Sequence, residues 1–367
     1  MTVFSPSILH FVVPGSPGQR TGGYLYGARV VEELRAAGWS VSVHGLEGRF
    51  PEGDEEARSN LRSLLTRFQD GTSVVVDGLA MGGLPDPVRE HGVRLRLVSL
   101  VHHPLAHETG LSPQDRERFR RSEVEALAPC RGVVVTSPFT RRQVEGMGVP
   151  RSRIRVVRPG TEPAAPSTGP LPAEAPRILS VGSVTPRKGQ DVLVRALSRV
   201  HDLPWSCELV GGLDRDPEYV ESVRAEVRHR RLEGRVRFTG ELQEQELKAR
   251  YRRSSLFVLP SYYEGYGMAL TEALARGLPV VATTGGAVPQ TVPEGVGVRV
   301  PAGDVDALAA ALRPLLSEGG EGERDRMRRA ALSHARSLPT WREAGEAFRA
   351  AVEELTALPA PQGWARG

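Results

Sequence analysis

Cysteine is scarce: the 367-residue chain has two, Cys130 and Cys207. They lie in different halves and form no metal-binding or redox spacing, which excludes a disulfide framework and points to a reducing compartment. No apolar run reaches the roughly 18 residues of a membrane-spanning helix, and Met1 to Val13 carry neither a basic start nor a small-residue cleavage site. The expectation is a cytoplasmic protein with no transmembrane segment; peripheral contact with a bilayer stays open. There is no lysine-rich tail, and 48 Lys+Arg against 44 Asp+Glu leave a net charge of only +4. Arg116, Arg118, Arg120 and Arg121 alternate with Glu117 and Glu123, the pattern of a solvated helix face, so nucleic acid is not an expected partner. A small phosphate-rich ligand fits the surplus equally well. Glycine (40) and proline (29) stay below the roughly 25–30% that marks low complexity, so most of the chain should fold. Its length suits two α/β domains.

Short β-branched runs alternate with longer helical stretches: Ile8–Val13, Val41–His44, Val74–Asp77, Leu95–Val101, Gly132–Thr136 and Ile154–Val157. That alternation predicts a parallel sheet. Between the first two runs, Ala28, Val31, Leu34 and Ala37 are spaced by three, which predicts a crossover helix over Gly27–Gly38. Residues 161–176 hold five prolines and no apolar period, the signature of a linker. The alternation then restarts at Arg177–Gly182 and continues through Cys207–Val210, Arg235–Thr239, Leu256–Pro260, Pro279–Ala282 and Gly297–Val300. The expected domains are therefore 1–160, a linker 161–176 and 177–337. A C-terminal amphipathic helix follows in 338–367, carrying Trp341, Phe348, Val352 and Leu355. Two doubly wound sheets bind ligands at the carboxyl ends of their strands, which places the chemistry in a cleft between the domains.

The richest stretch is SYYEGYGMALTEALARGLPVVAT, residues 261–283. A strand ends at Pro260, a glycine-containing loop follows, and a helix is expected over Gly267–Arg276. Backbone N–H groups of Gly265, Tyr266, Gly267 and Met268 then lie at a helix N-terminus, where unpaired donors and the helix dipole favour an anion. Glu264 and Glu272 can both reach one elongated ligand. Taken alone, two glutamates so spaced read as a loop turn and a solvated helix residue; the surrounding sequence reverses that reading.

EGYGMALTE resembles the E-x7-E motif of the retaining GT-B glycosyltransferases, in particular family 4, the group 1 transferases. RILSVGSVTPRKGQDVLVRAL (177–197) and TGELQEQELKARYRRSSLFVLPS (239–261) resemble the family's donor-domain opening and the segment before its motif. Gly22-Gly23 and His102 resemble the glycine turn and active-site histidine of its first domain. The fold so implied is GT-B: two Rossmann-like, doubly wound parallel-sheet domains facing across a cleft, with the C-terminal helix of 338–367 expected to cross back to the first domain and to pack on both.

The resemblance implies that Arg187 and Lys188 hold the diphosphate of a nucleotide-sugar donor and that Glu272 accepts from the ribose hydroxyls. It implies that Glu264 contacts the donor sugar and that Gly22 and Gly23 let the backbone approach the diphosphate; without the fold, those glycines read as a plain tight turn. His102 is the candidate contact to donor sugar or acceptor, with His103 and His107 weaker. Ser183 counts among the donor-binding residues, although many members carry arginine there, and Gln290 stands where many have glutamate. No Asp-x-Asp or His/Cys cluster stands out, so no metal and no cofactor are expected.

The activity implied is retaining transfer of a hexose from a nucleotide diphosphate sugar, with UDP as the expected nucleotide, to a hydroxyl acceptor. A small metabolite, a saccharide and a lipid head group all remain open as that acceptor. The alternatives are a nucleotide-sugar binding protein without transfer and a GT-B epimerase or phosphorylase. A dinucleotide oxidoreductase ranks last, because GSPGQRTGG is not a clean G-x-G-x-x-G.

Overall fold

The computed structural model describes residues 8–19, 21–170 and 174–361. The chain divides into two compact units: residues 1–160 with 339–367, and residues 161–338. In unit 1, β1 (Ile8–Pro14), β2 (Ser40–Leu46), β3 (Ser73–Asp77), β4 (Arg96–Val101), β5 (Gly132–Val135) and β6 (Ile154–Val156) form one sheet in the order β2-β1-β3-β4-β5-β6. In unit 2, β7 (Arg177–Val181), β8 (Ser206–Val210), β9 (Val236–Gly240), β10 (Leu256–Leu259), β11 (Val280–Thr283) and β12 (Val298–Val300) pair in the order β12-β11-β10-β7-β8-β9. Every pairing is parallel. Counted within unit 2 that order is 3-2-1-4-5-6 read from the β9 edge, the arrangement of a dinucleotide-binding sheet.

The strands form where the apolar runs predicted them, because a parallel sheet covered by helices on both faces buries every residue of its central strands. β5 (GVVV), β10 (LFVL) and β11 (VVAT) are buried along their whole length. Each sheet reverses its strand order once, between β1 and β3 in unit 1 and between β7 and β10 in unit 2. The loops leaving those strands mark the two places where each sheet is built to take a ligand.

The structure departs from expectation in two places. The first helix runs Gly22–Ala36, not Gly27–Gly38, so Gly22 and Gly23 form its first turn and are not a tight turn preceding it. Tyr26 and Gly27, both buried, set the start: their packing extends the helix beyond what the apolar spacing shows. The proline-rich segment belongs to unit 2 and is pinned to it. The Ser167 hydroxyl reaches the carbonyls of Arg252 (2.8 Å) and Ser254 (2.7 Å), Ser167 N donates to Arg276 O at 2.8 Å, and Thr168 N to Arg252 O at 2.9 Å. Proline removes regular structure there, yet these backbone groups still need partners and find them at helix C-termini. Residues 171–173 of the expected linker lie outside the described residues.

The last helix, Trp341–Ala357, starts on a capping box in which Thr340 N donates to Glu343 Oε2 (2.7 Å) and Glu343 N to Thr340 Oγ1 (3.2 Å). It packs in unit 1 against the helix Gly22–Ala36, β4 and β5, with Phe348 beside Phe11 and Tyr26. Both cysteines are buried and free. No helix among the described residues is long and apolar enough to cross a membrane.

Candidate active site

In unit 2 the strand reversal brings the loop after β7 against the loop after β10. Arg187 Nη1 donates to Tyr263 O at 3.0 Å, and Tyr262 N donates back to Arg187 O at 2.8 Å. Between them Gly189 takes φ +67°, and a Cβ there would lie 2.5 Å from Pro260 O, so only glycine lets the loops meet this closely. The clamp sets Lys188 against Glu264: Lys188 Nζ donates to Glu264 Oε1 at 2.6 Å, and Ser261 Oγ donates to the same oxygen at 2.6 Å.

Glu264 is 5% exposed. Burial opposes its ionisation, but the charges of Lys188 and Arg187, with hydrogen bonds from Lys188 and Ser261, outweigh that cost and hold the carboxyl below its ordinary value. A second loop fixes the Glu264 backbone, since Ala287 N donates to Glu264 O at 2.8 Å. Thr291 Oγ1 holds Tyr266 O at 2.5 Å in the same way.

Just beyond, Gly267 caps the helix Met268–Ala275 in the left-handed conformation, φ +91°. The N-terminus of that helix carries first-turn donors and a positive dipole end of the kind that favours an anion, and Glu264, paired with Lys188, lies against its start: a Cβ on Gly267 would stand 3.8 Å from Glu264 Cγ. Glu272 sits on the second turn of this helix and accepts from Tyr251 Oη at 2.9 Å. Burial and the neighbouring Glu272 charge push the Tyr251 phenol well above its ordinary value, so it stays a donor, with Arg276 4.6 Å over its ring.

In unit 1, His102 follows β4 and is 21% exposed in its side chain. Its Nε2 lies 3.2 Å from Asp77 Oδ2, at the end of β3. Asp77 Oδ1 accepts from Leu79 N at 2.8 Å and so caps the short helix Gly78–Met81. A Cβ on Gly23 would stand 3.2 Å from His102 Cδ2, whereas one on Gly22 would meet nothing within 4 Å. Tyr26 meets the imidazole edge-on at 5.5 Å between centroids. His103 Nε2 lies 3.2 Å from Glu108 Oε2, and burial, with His103 and Arg116 nearby, lowers the His107 imidazole. A hollow of about 640 Å³ bordered by Pro113, Glu117, Arg118 and Arg121 lies on unit 1 and includes none of these residues.

Residues 163–334 match the sequence pattern of the family described as glycosyl transferases group 1. A D-inositol 3-phosphate glycosyltransferase from Corynebacterium aurimucosum is 30% identical over 297 residues, 73% of this chain and 69% of its own. The chain belongs to the group 1 glycosyltransferases. A GDP-mannose-dependent alpha-(1-6)-phosphatidylinositol monomannoside mannosyltransferase from Mycolicibacterium smegmatis is 28% identical over 78% of this chain and 77% of its own. Curated relatives are matched over 44% to 77% of their own length, and the match to a mannosylfructose-phosphate synthase from Agrobacterium fabrum over 57%. The sucrose-phosphate synthase structure from Thermosynechococcus elongatus aligns with a TM-score of 0.81 at 23% identity, covering 96% of this chain and all of that one. That likeness carries the fold: both sheets are those of a GT-B glycosyltransferase.

Within this group 1 glycosyltransferase the structure brings Arg187 and Lys188 against the loop that carries Tyr263 and Glu264 and leads into Gly267 and Met268. Ser183 follows Gly182, where a Cβ would stand 3.1 Å from Lys188 Cε, and its carbonyl accepts from Gln190 Nε2 at 3.1 Å. Glu272 faces Tyr251. Gly23 and His102 are brought together in unit 1, while Gly22 stands apart from the ring. Sequence reasoning missed Ser261, Tyr251 and Asp77. Asp77 left a signal, an acid closing the apolar run VVVD; Tyr251 left none, because its contact to Glu272 joins two helices 21 positions apart, and Ser261, three residues before Glu264, carries nothing in its type or spacing that marks it as a donor to that carboxylate.

Proposed function

We propose that this group 1 glycosyltransferase moves a hexose, with retention of configuration, from a nucleoside diphosphate sugar to a hydroxyl acceptor. UDP is the first nucleotide to test and GDP the second. The observation that carries the reading is the Lys188–Glu264 pair set beside the N-terminus of the helix Met268–Ala275. As the sugar leaves, negative charge gathers on the diphosphate. Lys188, Arg187 and the Gly267 and Met268 N–H groups are the donors assigned to that charge in this reading, and losing one such donor costs about 3–4 kcal/mol of barrier. Glu272 takes the ribose hydroxyls, since a carboxylate accepts two at once.

Glu264 orients the sugar hydroxyls and does not attack the reacting carbon. Its Oε1 is committed to Lys188 and Ser261, and a carboxylate held below its ordinary pKa is a weaker nucleophile. The departing phosphate oxygen then takes the acceptor's proton on the same face that the sugar leaves, which gives retention. We propose that no divalent ion takes part.

The test is isothermal titration with UDP, GDP, ADP and their sugar conjugates, with and without EDTA. It uses wild-type protein, Glu272→Ala, and Lys188→Met alone and combined with Glu264→Gln. One nucleotide should bind, indifferent to EDTA, and binding should weaken at least tenfold in each variant. Lys188→Met alone leaves a buried carboxylate without its cation, at a cost of about 3–5 kcal/mol of stability. The double variant restores the melting temperature without restoring affinity. No nucleotide binding by the folded protein would sink the reading, and inverted product stereochemistry would sink its retaining part.

A further inference from the structure

Three neighbours fix the His102 ring. Asp77 Oδ2 faces Nε2 at 3.2 Å, Gly23 lies along the Cδ2–Nε2 edge, and Tyr26 stands edge-on at 5.5 Å. Tyr26 is fully buried, and its hydroxyl donates to Val157 O at 3.2 Å. Asp77, 7% exposed, is held in turn by Leu79 N on its other oxygen. The opposite edge of the imidazole is left open: Nδ1 has no hydrogen-bond partner among the described residues, and the side chain keeps 21% of its surface.

We infer that Asp77 is a positioning residue for transfer, which locks His102 in the tautomer that carries its proton on Nε2. A carboxylate accepts and cannot donate, so the proton between these two atoms belongs to the imidazole. In the neutral ring, which the tautomer measurement below tests directly, Nδ1 therefore presents a lone pair to the ligand. A lone pair takes a hydrogen bond from a hydroxyl and gives nothing to a phosphate oxygen, so the group met by His102 is a hydroxyl of a sugar or of the acceptor. Because the ring is fixed at one edge by a buried carboxylate and along another by a glycine, the direction of that lone pair is set before any ligand arrives. The inference rests on the transferase reading for its ligand, but the tautomer itself does not.

Asparagine at this position makes a sharp test. The Asp77→Asn variant would keep Leu79 N capped through its carbonyl oxygen, turning its NH2 toward His102 Nε2. Nε2 must then accept, and the proton moves to Nδ1. The experiment is long-range 1H–15N correlation on histidine-labelled full chain, with the His102 signals assigned by their loss in His102→Gln, alongside donor turnover and melting curves for wild type and Asp77→Asn.

The expected result is an Nε2–H tautomer in the wild type and Nδ1–H in Asp77→Asn, with melting unchanged and turnover lowered about tenfold, the worth of one hydrogen bond to a hydroxyl. Asp77→Ser, which keeps the helix cap but does not reach the ring, serves if Asp77→Asn folds poorly; there His102 should show both tautomers. An Nδ1–H wild type, or an unchanged tautomer in the variants, overturns the inference. A flipped tautomer with turnover intact overturns the role in transfer. If no nucleotide sugar is turned over by the wild type, the transferase reading has failed, and the tautomer measurement still decides what Asp77 does to His102.

Discussion

Buried ionisable side chains in this protein follow two routes. Glu264 is buried and paired, and its carboxyl is held low by Lys188 and Arg187 against the cost of burial. Glu123, 1% exposed, takes the other route: Leu105 N donates to Oε2 at 2.9 Å, but Oε1 has no partner among the described residues. Burial pushes its carboxyl up to about 8, against the pull of that one hydrogen bond. The folded chain thus keeps a proton that the unfolded chain releases above 4.5. Stability from this group is fully present below that value. It falls by about 1.4 kcal/mol per pH unit on the way to about 8, then levels off. Glu123→Gln has no proton to lose. Melting temperatures of wild type and variant should therefore separate by several degrees between pH 5.5 and pH 8, the wild type dropping further; parallel curves would show that Glu123 ionises normally. Glu123 appears in the sequence as one acid among the charges of a helix face. Its periodicity could not reveal it as a core residue, because the arginines around it point to solvent.

At the scale of elements, strands were legible and the ends of helices were not. β3, β5, β10 and β11 announce themselves as short apolar runs because parallel sheets bury both faces. The start of the helix Gly22–Ala36 is hidden, since two glycines contribute nothing to an apolar period. The docking of Ser167 is hidden as well, because its partners at Arg252 and Ser254 lie far along the chain. In the candidate site, residue types and spacing singled out Glu264, Glu272 and the 265–268 backbone, and the family resemblance added Lys188; Asp77 closes a visible apolar run, but its contact to His102, 25 residues on, does not show in the sequence.

The two kinds of glycine at helix starts can be told apart experimentally. Gly267 needs φ +91°, and an added Cβ would sit 2.8 Å from Leu270 Cδ1. Gly22 is helical, and a Cβ there would meet nothing within 4 Å. Gly267→Ala should cost about 1–2 kcal/mol in thermal or urea unfolding, and Gly22→Ala should add about 0.5 kcal/mol by stiffening the unfolded chain. Equal effects at both sites would show that the left-handed cap is not needed.

The whole molecule is asymmetric in how its two units are encoded. Unit 2 is one continuous stretch, 161–338, with its own core around Leu193, Trp205, Leu256 and Leu312. Its proline-rich start is tied to its own helix ends through Ser167 and Thr168. Unit 1 is completed only when the chain returns: Phe348, Val352 and Leu355, each at most 1% exposed, lie on the helix Trp341–Ala357 against the helix Gly22–Ala36 and the strands β4 and β5. Each of those side chains gives about 1.5–3 kcal/mol on burial, and a domain of this size has only about 5–15 kcal/mol of net stability to lose. Residues 1–160 expressed alone should therefore fail to melt cooperatively, and should regain a cooperative transition when residues 339–361 are joined to them through a short flexible linker. Residues 161–338 alone should melt cooperatively and bind the same nucleotide as the full chain, because Arg187, Lys188, Glu264 and Glu272 all lie within that stretch. Circular dichroism melts decide the folding claims, and titration decides the binding. Cooperative folding of residues 1–160 without the last helix would mean that its apolar face adds little to unit 1. Loss of nucleotide binding by folded 161–338 would mean that the anion site needs residues of unit 1 to hold its ligand.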